Sequence, residues 1–403
     1  MSSSTLRNIT SLFRTLYFSF ALTFYLLACI FVIPVVYTIY GLFRIMGFKM
    51  EKYKSMVGKL WLRVTESLLC ILIGDNTYIV YKEMDSREKM ANSLIISNHT
   101  SYVDWIYLWS LLLNSGRDGI SFIAKEAVGA FYPLKLGMDM LNFVLLSRKM
   151  EEDKKRLKTA CAALQERESF NLVIFPEGTF IDKDTKERDI SFLKKELKNR
   201  ELLKNMPKEE AEQKNIHTTV PNHITTVFEK VIFPRVKGFK LLLDELKDSI
   251  KYIIDCTIYL NMHNKHAVYP SEHFTLYNIL LGRCSRMQAL IVCENIELTP
   301  EIIENPEKWM YARFEQKDKM LKNLRDENSE INRKCADYKQ QGYTIKRIHP
   351  SLSVTILLSA GSLATMLACS TAVYFLCFFL YARLKSLHDL VCSLEHIPFL
   401  NAA

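Results

Sequence analysis

Two runs without a single acidic or basic residue bracket this chain and limit what it can become. The first extends from Thr15 to Phe43 between Arg14 and Arg44, the second from Pro350 to Ala382 between His349 and Arg383. At about 1.5 Å of rise per residue, either run is longer as a helix than a bilayer core of about 30 Å requires. Pro34 lies inside the first run, which reads as one tilted span or as a re-entrant pair of short helices in one leaflet. Basic residues stand on both of its flanks (Arg7 and Arg14; Arg44, Lys49, Lys52 and Lys54), so charge alone does not orient it. A cleaved signal peptide is not expected, because the run is too long and no small-residue cleavage site follows. Ser359, Gly361 and Ser362 interrupt the second run. It reads as one span, with two short passes as the alternative.

The formal net charge of +9 is spread through mixed charges, without basic runs interleaved with aromatics. That argues against a nucleic-acid groove and for an anionic bilayer surface as the partner. The ten cysteines include no Cys-x-x-Cys pair, and the nine histidines lack ligand spacing. Neither a disulfide framework nor a metal site is expected.

From about Met56 onward, strand-like and helix-like runs alternate. Strands are expected at Thr77–Tyr81, Ser93–Ser97, Ser121–Ala124, Phe143–Ser147, Asn171–Phe175, Ile253–Tyr259 and Gln288–Cys293, with helices such as Tyr102–Leu113 and Glu151–Arg167 between them. The pattern predicts an α/β domain with a mixed, largely parallel sheet flanked by helices. The expected division is a membrane-embedded helical segment at 1–55, the α/β domain at 56–300 and a charged helical connector at 301–349. A C-terminal membrane segment and tail would follow at 350–403. Within the domain, 183–217 is dense in Lys and Glu and reads as an exposed helical insertion.

Asn98-His99-Thr100-Ser101-Tyr102-Val103-Asp104 follows one of the apolar strand runs. On a regular helix, residues five apart lie about 140° apart, so His99 and Asp104 would diverge. A strand-to-helix turn lets the carboxylate reach back. It would then hold the imidazole in one tautomer and leave the other nitrogen to take a hydroxyl proton near neutral pH. Trp105 and Trp109, four apart, read as packing. Val173-Ile174-Phe175-Pro176-Glu177-Gly178-Thr179 ends another apolar run. Pro176 stiffens that exit, Gly178 permits a close backbone approach, and Glu177 and Thr179 can hold a polyol or brace the loop. Ligands of open α/β sheets bind at carboxyl ends of strands, so the two segments are expected to converge. Ser147-Arg148-Lys149 adds cations at a third strand end, and Arg148 can grip a phosphate in bidentate fashion.

Asn98-His99-x4-Asp104, the basic strand end at Arg148, Phe175-Pro176-Glu177-Gly178-Thr179 and Phe233-Pro234-Arg235-Val236-Lys237-Gly238-Phe239 resemble, in order, the four motifs of the glycerolipid acyltransferase family. The likeness runs from about Ser93 to Tyr259. Trp309 to Leu321 and Pro350-Ser351-Leu352 look most like its epsilon branch, with the lysocardiolipin branch next. The resemblance implies acyl transfer from acyl-CoA, as co-substrate, to a free hydroxyl of a lysophospholipid, with no cofactor and no metal. It implies His99 as general base, oriented by Asp104. Glu177, Gly178 and Thr179, with Asn98 and Pro176 in the same motifs, would line the acceptor's glycerol and phosphate region, and Arg148 and Arg235 would favour the phosphate. It also implies an enzyme held in the bilayer, first of all in the endoplasmic reticulum, with the mitochondrial outer membrane or nuclear envelope next. Phe180 departs from the arginine that many lysophosphatidic acid enzymes of the family carry after Glu-Gly-Thr. That points to a bulkier acceptor such as lysophosphatidylinositol or monolysocardiolipin. Two other readings stay open on the residues alone. One is hydrolysis, with His99 activating water instead of an acceptor or with Ser97 or Ser101 as nucleophile, although no Gly-x-Ser-x-Gly elbow supports the latter. The other is a silent membrane scaffold that recruits partners through 183–214.

Overall fold

The computed structural model describes residues 3–73, 76–82, 91–117, 119–167, 169–207, 210, 218–261, 269–275, 277–278, 288–326, 331–348, 356–361 and 364. In chain order the elements begin with α1 (Ser3–Ile45), α2 (Glu51–Ile73), β1 (Asn76–Tyr81), β2 (Ser93–Ser97) and α3 (Asp104–Asn114). Next come β3 (Ile120–Lys125), a 3-10 turn at Glu126–Ala130, α4 (Tyr132–Met140), β4 (Val144–Leu146), α5 (Met150–Gln165) and β5 (Asn171–Ile174). Then follow α6 (Lys183–Lys204), α7 (Val236–Leu246), β6 (Tyr252–Asn261), α8 (Pro270–His273) and β7 (Gln288–Glu297). After these come α9 (Pro300–Glu304), α10 (Pro306–Asp326), α11 (Ile331–Gln340) and β8 (Thr344–Ile348).

The strands form one sheet in the order β4-β3-β5-β2-β6-β7-β1-β8. β4, β3, β5, β2 and β6 run parallel, β7 is antiparallel to β6, β1 is parallel to β7, and β8 closes the far edge antiparallel to β1. This is the mixed, largely parallel sheet that the alternating runs predict. Its central strands are buried on both faces, which is why Leu94-Ile95-Ile96 and Leu172-Val173-Ile174 read as unbroken apolar runs. Ile95, Val173 and Ile254 point into a core beneath α1, α2 and α3, together with Leu108 and Trp109. Leu94, Ile96, Leu172 and Ile174 point the other way, into a core with Phe239 of α7 and Met310 and Phe314 of α10.

The N-terminal run is not a re-entrant pair. α1 continues through Pro34 to Ile45, and Ser19–Ile45 is long and apolar enough to cross a membrane. Pro34 costs one backbone donor but does not break the helix, which leans on the domain: Ile33 lies against Gly137 of α4, and Ala21 is fully buried in the core. The turn comes later, at Gly47 (φ +84°), and the helical pair is α1 with α2. Trp61 Nε1 donates to Tyr25 Oη at 3.0 Å, and Tyr25 Oη shares a 2.7 Å hydrogen bond with Thr65 Oγ1. α2 therefore runs straight through the expected boundary at 55/56. On the outer face of α1, Leu27, Phe31, Val32, Val35 and Leu42 are exposed.

The described residues between 301 and 348 pack into the domain and do not form a connector leading away from it. Buried Lys317 of α10 donates to the Cys256 carbonyl at 2.6 Å and pairs with buried Asp255 of β6. Arg313 bridges Asp255 and Glu294. β8 then adds a strand to the sheet. The charged insertion is also anchored: Glu196 of α6 accepts from the Thr219 and Val220 amides, and Arg200 donates to the carbonyls of Val220, Pro221 and Ile224. The expected C-terminal span at 350–382 lies outside the described residues, apart from 356–361 and 364. There Leu358 is buried, Ser359 Oγ lies 2.8 Å from Tyr17 Oη, and Gly361 faces the Phe24 ring.

Candidate active site

β2 and β5 are hydrogen-bonded neighbours, and both point their carboxyl ends the same way. His99 lies just beyond the first and Glu177 just beyond the second. The His99 amide donates to Glu177 Oε2 at 2.6 Å, the Ile181 amide donates to the His99 carbonyl at 3.1 Å, and the Ile232 amide donates to Glu177 Oε1 at 3.2 Å. One buried carboxylate thus ties three loops together. Burial pushes the Glu177 carboxyl well above its ordinary value, and the His99 and Ile232 amides pull the other way.

α3 begins at Asp104, two residues later than the sequence suggests, and Ser101 does not cap it. Instead Asp104 reaches back. Its Oδ2 accepts from the Thr100 amide, from the Ser101 amide at 2.9 Å and from His99 Nδ1 at 2.9 Å. Its Oδ1 accepts from Thr100 Oγ1 at 2.9 Å and Ser101 Oγ at 2.7 Å. Asp104 is fully buried. Two backbone N–H groups that cannot turn away require an acceptor, so the His99 proton resides on Nδ1 and Nε2 is left as a base. The imidazole stays partly exposed, at 22 % of its side-chain area. It stacks on Phe175 (centroids 4.3 Å apart) and meets the edge of Phe180 at 5.7 Å; exposed Tyr102 in turn lies 4.5 Å from Phe180.

Cations gather at the Gly178 turn. Gly178 has φ +71°, and a Cβ there would lie 3.1–3.3 Å from the Arg235 side chain. Arg148 donates to the Gly178 carbonyl at 3.1 Å from a left-handed backbone (φ +68°) that glycine favours. The Arg235 amide donates to the Pro176 carbonyl at 2.7 Å. Burial lowers the Arg235 pKa, the charges of Arg148 and Arg188 lower it further, and Asp189 opposes them. Asp189 of α6 also accepts from the Phe233 amide at 2.8 Å, which brings the insertion helix to the site.

His99, Asp104, Glu177, Gly178, Arg148 and Arg235 therefore converge. Thr179 is half-buried beside them, and Pro176 is buried. Asn98 is placed elsewhere: its buried amide exchanges both hydrogen bonds with the Ile258 backbone (3.0 and 2.7 Å), so it registers β2 against β6 rather than lining a substrate space. Glu177, with both oxygens taken by backbone amides, braces the loops. Ser97 and Ser101 are buried, and their hydroxyls serve the Asn98 carbonyl and Asp104, so neither is poised as a nucleophile. Thr100, the Ile232 amide, Asp189 and Arg188 are contributors that the motifs did not announce. Only the polar run Thr100-Ser101 carried a hint.

Residues 79–225 match the family model described as Acyltransferase. That stretch of the chain, which carries His99, Asp104, Arg148 and Glu177, is thus similar to the acyltransferase family. The chain is 26 % identical over 270 residues to the 2-acyl-1-lysophosphatidylinositol acyltransferase of Saccharomyces cerevisiae, covering 57 % of this chain and 61 % of that protein. It is 24 % identical over 271 residues to lysocardiolipin acyltransferase 1 of Mus musculus (66 % and 61 % covered). It is 24 % identical over 274 residues to 1-acyl-sn-glycerol-3-phosphate acyltransferase 3 of Arabidopsis thaliana (66 % and 63 %). The matches thus span about three fifths of these relatives' lengths. Among solved structures, the 1-acyl-sn-glycerophosphate acyltransferase PlsC from Thermotoga maritima aligns with a TM-score of 0.44 at 16 % identity, over 80 % of this chain and all of that one.

Proposed function

We propose that this protein transfers a fatty acyl group from acyl-CoA to a free hydroxyl of a lysophospholipid at a membrane surface. The observation that carries the reading is the His99–Asp104 pair, held at 2.9 Å beside the Glu177 loop with a cationic cluster one turn away. His99 Nε2 takes the proton of the acceptor hydroxyl as its oxygen attacks the thioester carbonyl. The carbon–sulfur bond then breaks, and the departing CoA sulfur takes the proton back from the imidazolium. Ester and free CoA are the products, and neither an acyl-enzyme nor a metal is invoked. Asp104 holds the imidazole and offsets its charge during the step. Arg148 and Arg235 hold the acceptor's phosphate, and the Gly178 turn lets it approach.

For the acceptor we favour a lysophospholipid with a head group larger than phosphate. Tyr102 and Phe180 form an aromatic wall beside His99 where a further cation would suit a bare phosphate monoester. The yeast relative named for lysophosphatidylinositol supports that preference. We assign the enzyme to the endoplasmic reticulum membrane on the family likeness, and subcellular fractionation tests that assignment.

The deciding experiment is a panel of lysolipid acceptors given to the purified full chain with one labelled acyl-CoA. Ester formation on at least one lysolipid, lost by at least about a hundredfold in H99A, is expected. No transfer to any acceptor, or near-parental turnover in H99A, refutes the reading. Free fatty acid exceeding transferred acyl would make the protein a thioesterase instead.

A further inference from the structure

A second recess lies at the other end of the sheet. Its cavity of about 530 Å³ is bounded by Gly119, just ahead of β3, by Ile120, which starts it, and by Ser169, just ahead of β5. His99 and Glu177 follow the opposite, carboxyl ends of the strands, and the five residues of β2 alone separate the two levels by roughly 16 Å. The recess therefore belongs to neither the base nor the phosphate cluster.

Its walls are divided by chemistry. Trp109, Ile120, Met140 and Leu141, all buried, give an apolar floor. Lys52, Lys54 and Lys59 of α2 and Arg167 after α5 give the rim, and no described acidic side chain lines it. Gly58 keeps the floor open: a Cβ there would come within 2.8 Å of Leu141. The surroundings are those of a bilayer surface. The rim begins seven residues after the apolar helix ends at Ile45; Met56 lines the recess, and Ile45, Met46, Phe48 and Leu60, near the rim in sequence, are exposed. Lys54 Nζ sits 5.2 Å from the centre of the Tyr40 ring on that helix, joining rim to membrane helix. Basic residues at the edge of an apolar belt sit at the depth of lipid head groups and attract anionic ones.

We infer that this recess binds an anionic diacyl phospholipid of the bilayer, its phosphate among Lys52, Lys54, Lys59 and Arg167 and an acyl chain over Trp109 and Leu141. The charge pattern excludes a basic-faced occupant, and the apolar floor distinguishes a lipid from a soluble anion. The bound lipid is not a reactant; it fixes the α1–α2 corner at the membrane surface.

The test uses the full chain in mixed micelles, with tryptophan fluorescence quenched by lipids brominated on their chains. Phosphatidylserine, whose glycerol has no free hydroxyl, is compared with phosphatidylcholine. Phosphatidylserine should quench at a concentration at least about fivefold lower, in line with the attraction of clustered cations for anionic lipid. K52E/K54E/K59E/R167E should erase that preference while retaining acyl transfer in phosphatidylcholine micelles, which also reports that it has folded. K154E/K155E, reversing two exposed lysines of α5, should leave the preference intact. If the fourfold variant fails to fold, K52E/K59E alone should still reduce the preference. Equal quenching by both lipids overturns the inference. So does a preference that survives charge reversal at the rim, or one lost equally in K154E/K155E. Displacement by excess inorganic phosphate as effective as displacement by unlabelled phosphatidylserine would mark a soluble-anion site and overturn it too.

Discussion

Replacing Asp104 by asparagine separates charge from geometry at this site. The carboxylate takes five donors: two backbone amides and His99 Nδ1 on Oδ2, and two hydroxyls on Oδ1. An amide has one side that cannot accept. The backbone N–H groups of Thr100 and Ser101 are fixed, whereas the hydroxyls of Thr100 and Ser101 can rotate to accept. Asparagine will therefore turn its oxygen toward the backbone and its NH2 toward the hydroxyls. The His99 Nδ1–H keeps its acceptor, so the tautomer survives and only the negative charge is lost. Charges about 4 Å apart at an effective dielectric of about 20 attract by about 4 kcal/mol. That much stabilisation of the developing imidazolium, removed, lowers kcat by about a thousandfold. Asp104→Ala strips the two backbone donors as well and should cost a further 1–3 kcal/mol or so of stability. The assay is initial-rate acyl transfer at saturating acyl-CoA, with thermal unfolding of the same preparations. A D104N variant within about tenfold of the parent, or one whose loss of rate tracks loss of folded protein, would refute the charge argument.

Gly178→Ala should raise KM for the acceptor and lower stability by about 1 kcal/mol or more, because φ +71° is unfavourable for alanine and its Cβ displaces Arg235; unchanged acceptor kinetics would contradict this. Arg148→Gly should do the opposite to stability, adding about 1 kcal/mol by relieving φ +68°, yet raise KM for the acceptor with little change in kcat. A stability gain without a change in KM would remove Arg148 from the phosphate site. Glu177 carries a pH signature. Its carboxyl pKa is raised in the folded chain, so the folded state holds that proton more tightly than the unfolded state. The associated stability is complete below the ordinary glutamate pKa and fades as pH climbs through the raised one. The stability of parent relative to E177Q should therefore decline with rising pH in denaturation midpoints, and a flat difference would show that Glu177 titrates alike in both states.

Much of this was legible because the decisive signals were local. Leu94–Ile96 and Leu172–Ile174 are buried on both faces, and a continuous apolar run is what such strands look like. His99 and Asp104 are close in sequence and meet through one bend. β8 was hidden because it is an edge strand with Lys346 and Arg347 exposed, so its charges resemble those of the neighbouring helices. α10 read as a solvated connector because its buried cation Lys317 is matched by Asp255, sixty-two residues earlier in the chain, a pairing no local pattern displays. Asn98 sits in a catalytic motif yet serves the Ile258 backbone, and Glu177 is claimed by amides whose positions only the fold determines. Pro34 suggested a break in α1 that packing against α4 prevents.

The tethers of Asn98 to Ile258 and of Glu177 to Ile232 also set an order of events at the ribosome. When His99 first emerges, the groups that will register its strand and seat its neighbouring loop have not yet been synthesised. α1 is by then already available to the lipid. Translation stalled short of about residue 258 would therefore leave an apolar helix long enough to cross a membrane and a candidate site that has not assembled.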